Sequence, residues 1–164
     1  LLVEIQALVD GAQSGNPRVL MAGGDFAGSK GPMYSPDQFR EFMLPPLTRM
    51  MGACRELDVH YVFRSDGNLW SVADMMFEEA GIPGYGEVDR DATMTNAALR
   101  EKYPELVIWN NMSCDKVQTQ SAQWVRDDAR RCIEESKGVG YFHGTSNAVM
   151  PKTPVENVVA MFEM

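Results

Sequence analysis

The residues best suited to do chemistry follow an apolar run near the middle of the chain. Val59–Phe63 is rich in β-branched and aromatic residues, which is typical of a buried strand, and Arg64, Asp66 and Asn68 come directly after it. Arg64 and Asp66 lie two residues apart, so they share one side if the strand geometry continues. A guanidinium pairs bidentately with a carboxylate, which suits Arg64 to an acidic ligand. This stretch predicts the centre of a polar pocket.

Four further polar clusters follow four other apolar runs, and two of them carry groups that can transfer protons. Glu87 lies beside Asp89 and is a candidate for acid–base work. His143 can shuttle protons because the pKa of an unperturbed imidazole lies near neutrality. We therefore predict Asp66, Glu87 and His143 as catalytic residues. The predicted substrate-binding residues are polar and end the same runs: Asp25, Arg64, Asn68, Asn110, Asn111 and Asn147.

Each of these residues also has a purely structural interpretation. Arg64 is equally suited to an internal salt bridge with Asp66 or Glu87. Asp66 begins an Asp-Gly-Asn run, and these residue types are common in turns. His143 also fits a hydrogen-bonded structural role, and Asp25 also fits a cap of the turn that follows it. The sequence leaves these alternatives open.

The elements that must position these residues alternate between strand and helix. The predicted strands cover residues 18–22, 59–63, 83–88, 106–109 and 139–142. The predicted helices cover residues 1–11, 35–57 with a kink or break at Pro45–Pro46, 69–80, 93–102 and 121–135, and a last helix opens at Thr153. Ser35 and Thr153 each start a capping-box pattern. Alternation of this kind implies right-handed βαβ crossovers and a parallel sheet.

Five βα units fit two architectures, a doubly wound five-stranded sheet or the last five units of an eight-stranded barrel. A complete barrel takes about 250 residues, so the 164 residues of this chain would be one N-terminally truncated domain. Every predicted strand ends in polar residues, not only the strands beside one switch point. We therefore predict the α/β class and a partial TIM barrel, in which all five clusters point into one opening.

Composition excludes some classes of function. The net charge of −8 argues against a nucleic-acid or anionic-membrane surface, since both need basic patches. No apolar run is long enough to span a bilayer, and no signal-peptide pattern is present. Cys54, Cys114 and Cys132 are odd in number and form no Cys-x-x-Cys pair, which favours reduced structural cysteines in a cytoplasmic protein.

Several short motifs occur in a specific order along the chain. They are Gly24–Gly28 (Gly-Asp-Phe-Ala-Gly), Gly31–Pro36, Phe39–Phe42, Phe63–Asn68 and Thr153–Val158. Their order and spacing resemble the uroporphyrinogen decarboxylase superfamily. The resemblance covers almost the whole chain but only about the C-terminal half of the superfamily's barrel. It implies an enzyme, either a decarboxylase of the haem pathway or a methyltransferase acting on corrinoid proteins or thiols.

The resemblance also bears on metal binding. The corrinoid-linked methyltransferases carry His-x-Cys in the central strand and a later Cys, and these residues bind zinc. Arg64 and Asp66 stand at the first two of those positions in this chain, and Asn147 stands at the third. A guanidinium does not bind a metal, and zinc prefers thiolate or imidazole donors. We therefore predict no metal, and the resemblance to the decarboxylase branch implies that no cofactor is needed.

For the decarboxylase branch, the resemblance implies that an acidic residue holds the pyrrole N–H groups while basic residues bind the substrate carboxylates. The predicted function is thus cofactor-independent decarboxylation of a tetrapyrrole or a related carboxylate-bearing molecule. The alternatives are a methyltransferase of the corrinoid-linked branch without the zinc site, and a non-catalytic binding domain. The expected partner is a small molecule, or a corrinoid protein for the methyltransferase, and a homodimer is one option for the oligomeric state.

Overall fold

The computed structural model describes residues 10–11, 14–15 and 18–163. Within them, parallel strands form one sheet in chain order: Val19–Gly23 (β1), His60–Arg64 (β4), Gly84–Gly86 (β5), Val107–Trp109 (β6) and Tyr141–Phe142 (β7). A short antiparallel hairpin of Ala27–Gly28 (β2) and Gly31–Pro32 (β3) follows β1. A doubly wound sheet reverses its strand order at a switch point, and this sheet does not. The predicted partial TIM barrel is therefore confirmed.

Helical segments connect successive strands of the sheet, and one more follows the last strand. The longer ones are Leu44–Glu56 (α1), Asn96–Lys102 (α2), Cys114–Thr119 (α3), Ala122–Ser136 (α4) and, after β7, Val155–Phe162 (α5). The shorter ones are Pro36–Gln38, Phe39–Met43, Met75–Glu79 and Arg90–Ala92. Most of the helix predicted over residues 1–11 lies outside the described residues. Among the described helices, none has the length and apolar character needed to cross a membrane.

One of the two predicted capping boxes forms. The Gln38 N–H donates to Ser35 Oγ at 3.2 Å, and the Ser35 N–H donates to Gln38 Oε1 at 3.0 Å. The second prediction is wrong, because α5 begins after Pro154 without a side-chain cap. The Thr153 hydroxyl donates instead to the Met150 carbonyl at 2.7 Å, so it closes the preceding turn.

The predicted break at Pro45–Pro46 is a change of hydrogen-bonding pattern. Phe39–Met43 forms a π-helical turn, in which the Leu44 N–H donates to the Phe39 carbonyl. The prolines stand in the first turn of α1 and have no N–H to donate to the preceding turn, so the chain stays helical with a wider turn there.

The helix predicted over residues 69–80 is shorter than expected. A tight turn joins the Val72 N–H to the Leu69 carbonyl at 3.0 Å, and regular helical bonding is confined to the residues after it. Met75–Glu79 is again a π-helical turn, closed by the bond from the Ala80 N–H to the Met75 carbonyl. Leu69, Ala73 and Met76 are fully buried, so this segment still packs against the sheet.

The two faces of the sheet have different surroundings. Tyr61, Phe63, Tyr85 and Ile108 point outward and are buried in a core shared with the helices. The opposite, inner face carries apolar side chains that are partly exposed, and there the ring of Trp109 stacks on that of Phe142 with 4.8 Å between centroids. In a closed barrel this inner face is a packed interior.

Candidate functional site

One row of paired residues places the ends of the parallel strands at a common edge. Gly23 pairs with Arg64, Arg64 with Gly86, Gly86 with Trp109, and Trp109 with Phe142. Residues that follow this row therefore lie at the carboxyl edge of the sheet, where barrel enzymes place their sites. At this edge Arg64 is hydrogen-bonded to Glu87, and Asp66 to Asn147. We call these four residues the mouth.

Arg64 forms an ion pair with Glu87 across neighbouring strand ends. Arg64 Nη2 donates to Glu87 Oε1, and the two side chains are 49% and 12% exposed. The hydrogen bond to Glu87 and its negative charge raise the pKa of Arg64, and the charges of Asp25 and Asp66 act in the same direction. The guanidinium therefore stays charged and faces the solvent at the opening.

Asp66 and Asn147 meet although 81 residues separate them in the sequence. Asp66 Oδ2 accepts a hydrogen bond from Asn147 Nδ2 at 3.2 Å. Asn147 Oδ1 accepts from the Ala148 N–H at 2.8 Å, which fixes the orientation of the amide. The bond joins the loop after β7 to the loop after β4. The mouth therefore extends along the edge of the sheet from β4 to β7.

Gly67 allows the loop after β4 to approach the β2–β3 hairpin. Its φ is +80°, and a Cβ at this position would lie 2.6 Å from the Ala27 carbonyl oxygen. The following Asn68 N–H donates to the Gly28 carbonyl at 2.9 Å. Because a side chain would clash and the backbone is left-handed, this turn requires glycine. It holds Asp66 at the strand end.

Asp25 is exposed and lies at the side of the mouth. It contributes charge to Arg64 and lines a cavity of about 300 Å³ together with Phe26, Tyr34 and Met50. Tyr61 and Phe63, which face the helices, line the same cavity. This predicted binding residue therefore stands between the mouth and the helix side of the sheet.

Two of the predicted asparagines hold the backbone. Asn68 Oδ1 accepts from the Trp70 N–H at 3.0 Å, and its Nδ2 donates to Thr93 Oγ1 at 3.3 Å. Asn111 is fully buried, and its Nδ2 donates to the carbonyls of Val88 at 3.2 Å and Met94 at 2.9 Å. The turn interpretation fits Asn68, and Asn111 is inaccessible to a ligand.

Asn110 ends β6 in a left-handed conformation, with φ +71°. Its N–H donates to the Phe142 carbonyl at 2.7 Å. Its Oδ1 would lie 2.6 Å from a Cβ placed on Gly144. The side chain is half-buried against the loop after β7, so it supports that loop beside the mouth.

His143 faces α5 and not the mouth. Its Nε2 lies 3.0 Å from the Met161 carbonyl oxygen, and its Nδ1 lies 3.0 Å from the Tyr141 hydroxyl oxygen. A carbonyl only accepts, so Nε2 carries the proton and Nδ1 accepts from the hydroxyl. Burial lowers the pKa of His143. These contacts match the structural alternative, and the proton-transfer role of His143 stays a prediction.

Arg90 is a buried charge that the sequence interpretation missed. Its guanidinium bonds Asp128 at 3.2 Å and Glu135 at 3.2 Å, both on α4, and approaches Cys132 Sγ at 3.1 Å. These bonds anchor the loop after β5, which carries Glu87, to a helix. Asp128 and Glu135 lie seven residues apart, which is two turns of a helix and one face, but nothing in the sequence indicated Arg90 as their partner.

Tyr85 was also missed, because a tyrosine between two glycines of a short strand is typical of a buried core residue. Its side chain is fully buried, and among the described residues its hydroxyl has no hydrogen-bond partner. Burial raises the pKa of Tyr85, and the charges of Asp89, Asp66 and Glu87 raise it further. The hydroxyl therefore stays protonated in the core shared with the helices.

The donor chemistry of the mouth does not fit zinc. The structure brings Asp66 and Asn147 together, with Arg64 two residues before Asp66 as the last residue of β4. A guanidinium cannot coordinate a metal, and an amide is a poor replacement for a thiolate. In the part of the chain that the structure describes, no group of three or more His, Cys, Asp or Glu side chains is arranged to hold a metal.

Comparison with known proteins identifies the relatives of this arrangement. The sequence profile described as uroporphyrinogen decarboxylase (URO-D) matches residues 19–164. The chain belongs to the uroporphyrinogen decarboxylase family. A search of curated protein sequences finds no match.

A solved structure with a similar fold is a methyltransferase from Methanosarcina mazei. It has a TM-score of 0.73 and 20% sequence identity, and the match covers 96% of this chain. This member of the uroporphyrinogen decarboxylase family spans 45% of the length of that methyltransferase. At this level of identity the likeness confirms the partial barrel, and the activity has to be argued from the mouth.

Proposed function

We propose that the mouth binds a carboxylate-bearing small molecule and catalyses its decarboxylation without a metal or an organic cofactor, with a tetrapyrrole or a related compound as substrate. The observation that supports this most directly is the Arg64 guanidinium, half exposed at the converging strand ends and paired with a carboxylate. A planar guanidinium at an opening of this kind is suited to a carboxylate ligand. Membership of the family makes an enzyme the expected class of protein.

Asp66 is the group proposed to act on the ring of the substrate. Its carboxylate can accept a pyrrole N–H and stabilise positive charge on a protonated ring. In the substrate side chain that carries the carboxylate, the bond between the methylene carbon and the carboxylate then breaks. Its electron pair passes into the ring, and carbon dioxide leaves. The methylene carbon takes up a proton as the ring loses one, so one proton is consumed for each carbon dioxide released. Arg64 keeps the substrate in place throughout.

Methyl transfer is the second candidate, and the mouth gives it less support. Activation of a thiol by zinc needs thiolate or imidazole ligands, and residues 64, 66 and 147 are Arg, Asp and Asn. The two candidates differ in what the protein binds and releases. Decarboxylation predicts binding of a tetrapyrrole and release of carbon dioxide by a metal-free protein, whereas methyl transfer predicts turnover of a methyl-corrinoid and, where the zinc site is retained, a bound metal.

The first experiment uses the full-length protein that contains these residues. It measures bound metal by mass spectrometry, then binding and decarboxylation of uroporphyrinogen, and finally methyl transfer from a methyl-corrinoid. We expect metal-free binding of the tetrapyrrole with release of carbon dioxide. Replacing Arg64 with Ala should weaken binding at least about tenfold, since a hydrogen bond to a charged group contributes about 1.5–3 kcal/mol.

Arg40→Ala is the matched control for Arg64→Ala. Arg40 is also a half-exposed arginine paired with a glutamate, Glu79, but it lies on a helical segment away from the strand ends. Its removal should leave tetrapyrrole binding unchanged. Stoichiometric zinc together with methyl transfer would contradict the proposed function. An equal loss of binding in both arginine variants would contradict the assignment of Arg64.

A further inference from the structure

Glu87 occupies the position that a ligand carboxylate would take at Arg64. Among the described residues, Glu87 Oε1 is the acceptor for the Arg64 guanidinium. The Glu87 side chain is 88% shielded, whereas half of the Arg64 side chain is exposed to the opening. A ligand that approaches from the opening therefore meets a guanidinium that is already hydrogen-bonded to the Glu87 carboxylate.

The backbone holds the Glu87 carboxylate in this place. Glu87 has a φ of +61°, a left-handed conformation that non-glycine residues rarely adopt. Gly86, the residue before it, pairs with Arg64 in the sheet, which brings the two side chains to adjacent strand ends. On the other side, Arg90 anchors the same loop to α4. A strained residue fixed by its surroundings is typical of functional sites.

We propose that Glu87 is an internal substitute for the substrate carboxylate, so that a ligand binds Arg64 by displacing it. This inference rests on the proposed function and assigns the carboxylate subsite within it. Displacement makes Glu87 a specificity-determining residue, because a ligand without a carboxylate gains nothing from breaking the ion pair. It also means that Glu87 opposes ligand binding, in contrast to the catalytic role that the sequence favours.

The Arg40–Glu79 pair provides an internal comparison. Arg40 donates two hydrogen bonds to Glu79, at 2.6 and 2.7 Å, and both side chains are substantially exposed on the helical surface. Any general effect of removing a carboxylate from an arginine will therefore occur at Arg40 in a Glu79→Gln variant. Since both variants should make their arginine react faster, the effect specific to the mouth is protection of Arg64 by an added carboxylate.

The experiment measures how fast phenylglyoxal, an arginine-selective reagent, modifies Arg64 and Arg40 in the full-length protein, with peptide mass spectrometry as readout. In Glu87→Gln, modification of Arg64 should be about fivefold faster or more, because a charge-assisted bond is lost at a half-exposed site. Added glutarate, which carries the same carboxylate head as Glu87, should slow it again. In wild type, glutarate should give little protection. Glu79→Gln should accelerate modification of Arg40 alone.

Ligand binding supplies the second measurement. If the wild-type protein binds uroporphyrinogen, Glu87→Gln should raise its affinity several-fold, whereas a contact made by Glu87 to the ligand would lower it. Should Glu87→Gln fold poorly, Glu87→Gly serves instead, since glycine adopts a φ of +61° without strain. Unchanged modification of Arg64, or no protection by glutarate in either variant, would overturn the inference. Absence of tetrapyrrole binding in wild type would overturn the proposed function and leave the modification result to decide on Glu87.

Discussion

At the scale of single residues, the Tyr85 hydroxyl is a buried donor for which the described residues supply no acceptor. A buried polar group without a partner costs about 1–3 kcal/mol. Tyr85→Phe should therefore leave the free energy of unfolding unchanged or raise it by about 1 kcal/mol. The measurement is the free energy of unfolding of wild type and variant in urea, where an unchanged m-value shows that only stability has changed.

Tyr103→Phe is the control for this measurement. The Tyr103 hydroxyl donates to Asp74 Oδ1, so its removal should lower the free energy of unfolding by about 1 kcal/mol. If Tyr85→Phe destabilises the protein as much as Tyr103→Phe does, the Tyr85 hydroxyl has a hydrogen-bond partner in solution.

The sequence could identify the residue types of the mouth but not their pairing. From the sequence, Arg64 could bind a ligand, Asp66 or Glu87. The register between β4 and β5 pairs Arg64 with Gly86, which brings Glu87 next to the guanidinium. Asn147 lies 81 residues from Asp66, and no local pattern could predict their hydrogen bond. Register and loop closure depend on packing of the whole sheet, so these contacts had to come from the structure.

At the scale of elements, His143 joins β7 to α5 through its bonds to Tyr141 and to the Met161 carbonyl. Burial lowers the pKa of His143 below its ordinary value of 6.5. Protonation therefore favours the unfolded state, where the pKa is higher. The stability that the neutral imidazole provides is complete above pH 6.5 and is lost as the pH falls from there through the folded pKa.

His143→Gln tests this dependence. Wild type should lose free energy of unfolding between about pH 7.5 and about pH 5.5, and the variant should lose less over the same interval. The control is His60→Gln, which replaces an exposed histidine at the start of β4 and should leave the pH dependence of stability as in wild type. Equal pH dependence in wild type and His143→Gln would show that the imidazole is not held neutral between β7 and α5.

The elements themselves were largely predictable from local patterns. The strands appear near their predicted positions, and α4 begins after Ser121, where the helix was predicted to start, with a bond from the Trp124 N–H to Ser121 Oγ at 3.2 Å. The errors occur where tertiary contacts override local pattern. Thr153 caps no helix because its hydroxyl closes a turn, and the segment before Met75 forms turns that bury Leu69 against the sheet.

At the scale of the whole molecule, the inner face of the sheet is an apolar surface without a cover among the described residues. Val19, Met21 and Phe142 are 51%, 37% and 52% exposed. Val62, Gly84 and Trp109 line a cavity of about 410 Å³ on this face. β1 and β7 are the edges of the sheet, and unpaired strand edges favour association. The polar strand ends predicted a barrel. They could not predict how much of the inner face is uncovered, because that depends on how far the sheet closes.

The 164-residue chain should therefore self-associate as its concentration rises, and sedimentation velocity over a dilution series measures this. Phe142→Lys should shift the distribution toward monomer, because a charge on the inner face opposes burial of that face against another copy. Val155→Lys is the matched control, since Val155 is 74% exposed but lies on α5, away from the inner face. A chain that stays monomeric at every concentration, or one whose association resists Phe142→Lys, would show that the inner face does not drive contact between copies. Association that both variants weaken equally would place the contact outside the sheet.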